Sequence, residues 1–392
     1  MAATPASILL IHSSSGRYGA DRQLHLIATG LDRDRYRPLV ALPTGGPLAD
    51  DLREAGVEVL IRPLAALRRE HASARGASVV AARVALDAVA LGRLVRRRRL
   101  ALVHSNTSVV LGGAAGATVG RIPHVWHVRE IYDRFWALWP PYRSLLERAA
   151  ALPCVSRATA AQFGASRRVR VIPDGLASDP ARAPRDAARA ALGLDAHTPV
   201  IAVLGRISDW KGQDVLVRAL AEEPLRARGA IALLAGEAWP GAEHRAGAVL
   251  ELARALAVSD RLRMLGFRDD IETVLGAADV IAVPSTAPDP LPGAAIEAAA
   301  AGCAVVASAH GGLPEIIRDR ETGRLVAPRD PRALAEAAAE LLDDPCERDS
   351  LGAAAAIDVR KRYSARRLLD SIQALYDELL TSRGPGAASA RA

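Results

Sequence analysis

Two stretches in the second half of this 392-residue chain combine glycine, cations and carboxylates at short spacing. The first reads Val203-Leu204-Gly205-Arg206-Ile207-Ser208-Asp209-Trp210-Lys211-Gly212. An apolar run ends in Gly205, whose missing Cβ lets a ligand approach the backbone closely. Arg206 follows at once, and Lys211 comes just before an expected helix. A diphosphate leaving group gathers negative charge as its bond to a sugar breaks. A planar guanidinium and a point-charge ammonium directed at it stabilise that charge without a metal. The bland alternative is a pair of surface cations on a loop. Against it, Lys211 and Lys361 are the only lysines among 51 basic residues, so elsewhere this chain meets the need for positive charge with arginine.

The second stretch is Ser285-Thr286-Ala287-Pro288-Asp289-Pro290-Leu291-Pro292-Gly293-Ala294-Ala295-Ile296-Glu297-Ala298. It follows a β-branched run and opens a helix, with Leu291, Pro292 and Gly293 at the start, where free backbone N–H groups suit an anion or a polar ligand. Asp289 lies before the helix and Glu297 within it, so the two carboxylates can read different parts of one extended ligand. One carboxylate can take the hydroxyls of a ribose and another those of a sugar. A solvated helix face is the alternative for Glu297. Its neighbours Ile296 and Ala298 are apolar, which favours a buried carboxylate with a partner.

The elements that must hold these stretches alternate along the chain. Apolar runs at 7–12, 38–42, 100–104 and 123–127 read as strands, with helical stretches between them, and imply a parallel, doubly wound sheet. A strand at 169–172 is broken by Pro173-Asp174-Gly175, and 177–184 reads as a linker. Runs at 199–204, 231–235, 262–265, 280–283 and 305–307 then form a second sheet, and 363–380 a last helix. Ligands bind such sheets outside the carboxyl ends of their strands.

The whole chain resembles the retaining glycosyltransferases of family 4, which have the GT-B fold. Gly205-Arg206, Lys211-Gly212 and the Asp289/Glu297 pair are similar to the family's donor-phosphate and acidic motifs. The segments Leu265-Gly266, Ala278-Asp279-Val280, 302–307 and 311–317 fit in order. Asp289 stands where the family usually has Glu. Tyr18-Gly19-Ala20-Asp21 resembles the first-loop motif, with Gly19 facing the donor diphosphate. Trp126-His127-Val128-Arg129-Glu130 resembles the segment whose histidine contacts the donor sugar. By residue chemistry alone, His127 at a strand end is as readily structural, and Arg129 and Glu130 either serve the acceptor or form a salt bridge.

The resemblance implies an α/β GT-B fold of two doubly wound Rossmann-like domains facing a central cleft. The expected parts are an N-terminal acceptor domain, 1–178, and a C-terminal nucleotide-sugar donor domain, 179–360. A C-terminal helix at 361–382 crosses back to the N-terminal domain, and a disordered tail occupies 383–392. It implies transfer of a sugar from a nucleotide diphosphate-sugar to a hydroxyl of a glycan, a lipid-linked acceptor or a small molecule. Configuration is retained, with no cofactor and no metal. Arg206, Lys211, His127, Asp289 and Glu297 would be catalytic. Gly19, Gly205, Leu291, Pro292, Gly293 and Glu297 would bind the donor. Two alternatives are a sugar-nucleotide epimerase on the same fold and a non-catalytic sugar-nucleotide-binding protein. A nicotinamide dehydrogenase would need a Gly-x-Gly-x-x-Gly turn after a first strand, and there is none.

Composition narrows the partners. The net charge of +7 reflects an Arg- and Ala-rich chain with 4% aromatics, without a nucleic-acid-binding motif or a stacking platform, so nucleic acid is not expected as a partner. Cys154, Cys303 and Cys346 lack metal-ligand spacing and read as thiols in a reducing cytosol. No run reaches the ~20 apolar residues of a membrane span, so a cytoplasmic protein is expected, in cell-envelope polysaccharide synthesis and at most peripheral to the inner membrane face. Arg96 to Arg99 end an amphipathic stretch with the stripe Val84, Ala88, Leu91 and Val95. They are cations at a helix C-terminus or a patch for anionic lipid. Loops at 64–77 and 131–141 are expected to choose the acceptor. The aromatics Tyr132, Phe135, Trp136, Trp139 and Tyr142 serve either as core packing or as a wall for the acceptor.

Overall fold

Ile8, Leu9, Leu10 and Ile11 form an unbroken apolar run, and all four are fully buried. A strand covered by helices on both faces has no solvent side, so its sequence does not alternate. The computed structural model describes residues 4–68, 73–132, 138–239 and 241–382. Phe135, Trp136, the middle of the 64–77 loop and the tail at 383–392 lie outside the described residues. The chain divides into two compact units, Met1–Ala177 with Ala365–Ala392, and Ser178–Ser364.

The first unit holds a parallel sheet of β1 (Ala6–Ile11), β2 (Tyr36–Leu42), β3 (Glu58–Ile61), β4 (Leu102–Ser105) and β5 (His124–Trp126), in the order β3-β2-β1-β4-β5. β3 is short and only half-buried and left no clear apolar run to read. The run near 169–172 is β7 (Val169–Val171), which pairs with β6 (Leu152–Cys154) in a separate two-stranded sheet. The helix Ala74–Arg98 lies along the helix Gly112–Gly120. Gly112, Gly116 and Gly120 recur every four residues and present one face to Asp87, Leu91 and Val95. A Cβ on Gly116 would sit 2.4 Å from the Leu91 Cβ, so glycine lets the two backbones approach.

The C-terminal helix Ala365–Thr381 belongs to this first unit. Leu368, Ile372, Leu375 and Tyr376 enter its core, and the Tyr36 hydroxyl donates to Asp377 at 2.5 Å and to the Gln373 carbonyl at 3.1 Å. It starts at Ala365; residues 361–362 instead end the preceding helix, Pro345–Arg362, in the second unit.

The second unit is a six-stranded parallel sheet: β8 (Val200–Leu204), β9 (Ile231–Ala235), β10 (Leu262–Gly266), β11 (Val280–Val283), β12 (Ala304–Ser308) and β13 (Arg324–Val326). Their order is β10-β9-β8-β11-β12-β13. Both main sheets reverse winding direction once, between β1 and β4 and between β8 and β11, and such a switch point opens a crevice at the carboxyl ends of the strands. The two sheets are thus doubly wound and Rossmann-like, as the alternating sequence implies. Among the described residues, no helix is long and apolar enough to cross a membrane.

Candidate active site

The two chemistry-bearing stretches leave the carboxyl ends of β8 and β11, the neighbours at the switch point of the second sheet. Gly205 follows β8 with φ +124°, a conformation that favours glycine, and a Cβ there would meet nothing within 4 Å. The open space leaves its backbone approachable. Gly212 is constrained more tightly: φ is +76°, and a Cβ would fall 1.8 Å from the Pro284 carbonyl oxygen. The loop after β8 is therefore pressed against the loop after β11. The Thr286 N–H donates to the Trp210 carbonyl at 2.8 Å and fixes the same contact.

Lys211 Nζ donates to Asp289 Oδ2 at 2.7 Å and lies 4.4 Å from the centre of the Trp210 ring. Asp289 is buried, and its backbone is pinned by the Gly312 N–H at 2.7 Å. The Arg206 guanidinium stacks on the Trp239 ring at 3.6 Å, and its backbone carbonyl accepts from the buried Gln213 side chain at 2.9 Å. The His310 ring, following β12, donates to the Ser285 carbonyl at 2.8 Å. The hydroxyls of Ser208 and Ser285 are buried without a hydrogen-bond partner among the described residues. Leu291, Pro292 and Gly293 lead into the helix Gly293–Ala300, where Glu297 sits one turn along. Glu297 is half-buried rather than enclosed, because the apolar neighbours Ile296 and Ala298 face the core and leave the carboxylate on the rim. Arg206, Lys211, the buried Asp289 and the half-buried Glu297 thus all stand on segments that follow the carboxyl ends of β8 and β11.

Trp239, Gln213, His310, Ser208 and Ser285 were not singled out from the sequence. Trp239 and His310 are distant in sequence from Arg206 and Ser285, so only the fold brings them together.

In the first unit, the switch point holds a different constellation. His12 follows β1, and its Nε2–H reaches Asp21 Oδ1 at 2.8 Å and Ser14 Oγ at 3.2 Å, while Asn106 after β4 lies 3.3 Å from its Nδ1. Asp21 also accepts from Ser14 Oγ and from the Tyr18 N–H at 2.9 Å. Burial pushes the Asp21 carboxyl up, but these bonds and the His12 ring outweigh it and hold it below the usual 3.8. Gly19 opens the helix Gly19–Gly30 and is exposed, with space around it for a side chain.

His127 is fully buried, stacks on His104 at 5.4 Å and lies against the Ile172 backbone. Burial, with Arg129 nearby, pushes it well below the ordinary histidine value, so the ring is neutral. Arg129 forms its salt bridge with Asp174, not with Glu130, and donates to the Asn106 carbonyl at 2.8 Å. Glu130 accepts instead from Ser108 and from the Arg129 N–H, and burial raises its carboxyl. Tyr132, Trp139 and Tyr142 pack on one another and reach the fully buried Phe163, with the Tyr142 hydroxyl on the Ser108 carbonyl. All three are half-buried, and Trp139 and Tyr142 pack against the cluster around Trp126, Leu146 and Phe163.

Residues 18–179 match the family model "Glycosyltransferase Family 4" and residues 184–358 match "Glycosyl transferases group 1". A D-inositol 3-phosphate glycosyltransferase of Corynebacterium diphtheriae is 36% identical over 198 residues, 48% of this chain and 45% of that protein. One of the same name from Mycolicibacterium vanbaalenii is 38% identical over 203 residues, 49% of this chain and 43% of its own. The chain thus spans about half the length of the curated relatives it matches. Among solved structures, Anabaena Alr3699/HepE in complex with UDP-glucose superposes with a TM-score of 0.81 at 26% identity, covering 95% of this chain and all of that one. Its complex with UDP and glucose gives the same TM-score at 25% identity, covering 95% and 99%.

Proposed function

From a chain that carries two glycosyltransferase domains in tandem on the GT-B fold, we propose a retaining family 4 enzyme. It moves a hexosyl group from a nucleotide diphosphate-sugar to an acceptor hydroxyl. The carrying observation is the Lys211–Asp289 pair at the β8/β11 switch point, with Arg206 on the same loop after β8. As the sugar–oxygen bond breaks, the electron pair stays on the diphosphate, and Arg206 and Lys211 are the cations placed to meet that charge. The departing phosphate oxygen takes the acceptor's proton on the same face of the sugar, which gives retention without an enzyme nucleophile. Asp289 keeps the ammonium aimed, Trp239 covers one face of the Arg206 guanidinium, and the start of the helix Gly293–Ala300 with Glu297 receives sugar hydroxyls. Gly19 and His127 enter this reading through the resemblance of their motifs. No cofactor is needed in it. The UDP-glucose held by the Anabaena protein supports a UDP-sugar donor here. The name of the curated relatives supports a polyol or phosphorylated polyol as acceptor. The epimerase and sensor alternatives gain nothing from family matches that are glycosyltransferase domains in both halves.

The test is turnover of UDP-glucose with an acceptor panel in the wild type, Arg206→Ala and Lys211→Ala. Losing a preorganised charge-stabilising group costs about 10²–10³ in kcat, and near-normal rates in both variants would sink the reading.

A place at the cytoplasmic membrane face, in envelope polysaccharide synthesis, has its support in the helix Ala74–Arg98. Arg96 donates to the Val119 carbonyl and Arg98 pairs with Glu58, so part of the arginine run serves the helix end. The outward face carries a second apolar stripe, with Val79 56% exposed, Leu86 60% and Val89 49%. Exposed Arg75, Arg93 and Arg97 continue it at helical spacing. The helix has one acid, Asp87, and it is buried on the other face. An apolar stripe with arginines at both ends suits an anionic lipid surface.

A further inference from the structure

The amino ends of β11 and β12 carry an arginine pocket on the side of the second sheet opposite the candidate active site. Asp279 precedes β11 and is buried. It accepts from Arg185 at 2.6 Å, from the buried Arg189 at 2.9 Å and from the Val200 N–H at 2.8 Å. Its lone pairs are thus largely taken by these three donors. Arg348 stands at the same place with little left to bind: its nearest carboxylates are Asp279 at 3.9 Å and Asp349 at 3.6 Å, both beyond hydrogen-bond length. Arg182 has one long contact, 3.4 Å to the Gly302 carbonyl. Arg182, Arg185, Arg348 and Asp349 line an open pocket of about 400 Å³ with Gly302 and Ala353.

Three guanidiniums, those of Arg182, Arg185 and Arg348, line this pocket, and two of them, Arg182 and Arg348, keep most of their donors unspent. Like charges this close repel unless an anion joins them. Guanidinium forks match the oxygens of a phosphate bidentately. We propose that this pocket is a second anion site, taking a phosphate-bearing ligand at Arg182, Arg185 and Arg348. Its occupant does not compete with a nucleotide at Arg206 and Lys211, because the two sites lie at opposite ends of the same strands.

The experiment is calorimetric titration of inorganic pyrophosphate at fixed ionic strength, with and without saturating UDP, on the wild type and on Arg182→Gln/Arg348→Gln. Arg182→Gln alone, a change at an exposed side chain, guards against a folding artefact, and melting curves verify all variants. The expected result is pyrophosphate binding that persists under UDP and weakens at least tenfold in the double variant, while UDP affinity stays unchanged. Binding abolished by UDP, or untouched by the double substitution, overturns the proposal. If the chain does not bind UDP at all, the donor reading fails while the double variant still reports on this pocket. Sedimentation with phosphatidylglycerol vesicles separates the sources. Loss of vesicle binding in the double variant assigns the phosphate to a lipid headgroup; unchanged vesicle binding alongside lost pyrophosphate binding assigns it to a soluble ligand.

Discussion

Lys211 and Asp289 form one ion pair, but their surroundings differ. The Asp289 side chain is 6% exposed and that of Lys211 20%. Removing the cation strands a buried carboxylate, whereas removing the acid leaves a lysine able to turn toward water. Lys211→Met should therefore lower stability by about 1–3 kcal/mol, after allowing for screening at the exposed end. Asp289→Asn should cost less, and urea unfolding that ranked the two in reverse order would contradict this account of the pair. Asp21 supplies a pH-dependent case. Its folded carboxyl titrates below 3.8, so its stabilisation is present above the unfolded value and is lost as pH falls through the folded one. The stability gap between wild type and Asp21→Asn should hold from pH 8 to 5 and close below about 4, near the unfolded value. A gap independent of pH down to 3 would show that the charge of Asp21 is not what matters.

At the scale of elements, the glycine face of the helix Gly112–Gly120 is the most exacting contact in the first unit. Gly116→Ala puts a methyl 2.4 Å from the Leu91 Cβ, with the Leu91 backbone close behind it. Overpacking of this kind costs about 1–3 kcal/mol. A melting point equal to wild type would mean that the helices separate without penalty. The helix Ala74–Arg98 meets that partner on one side and presents Val79, Leu86 and Val89 on the other. Leu86→Gln with Arg93→Gln should leave the fold intact and reduce co-sedimentation with anionic vesicles several-fold, by removing apolar area and about 1 kcal/mol of charge attraction. Undiminished sedimentation would count against the lipid reading.

At the scale of the whole molecule, the two units should respond differently to acid. The first contains three buried histidines whose folded values lie far below 6.5. Burial holds His104 and His124 at about 3, and His127 well below the ordinary value. Unfolding lets each take a proton below pH 6.5, so stability falls as pH drops, by about 1.4 kcal/mol per pH unit for each histidine. The second unit's histidines, His197, His244 and His310, are not buried. Hydrogen exchange at pH 5.5 against pH 7.5 should show β4 and β5 losing protection while β8 and β11 keep theirs. Equal loss in both units would remove the histidines as the cause.

Much of this was legible in the residues themselves. Unbroken apolar runs between helical stretches state a covered parallel sheet, because periodicity is a local property of the chain. Gly205, Arg206, Lys211 and Asp289 stood out because glycine and unusual charge choices mark places where a backbone or ligand comes close. The short β3 and β6 escaped because three or four residues carry too little pattern. Other assignments needed the fold. Trp239 over Arg206, Lys211 on Asp289 and Arg129 on Asp174 join residues from separate loops, and local sequence does not encode such distances. Burial decided the rest: it neutralised His127 and left Glu297 on the rim. Which carboxylate a cation pairs with, and whether an imidazole is charged, depend on how much water tertiary packing excludes.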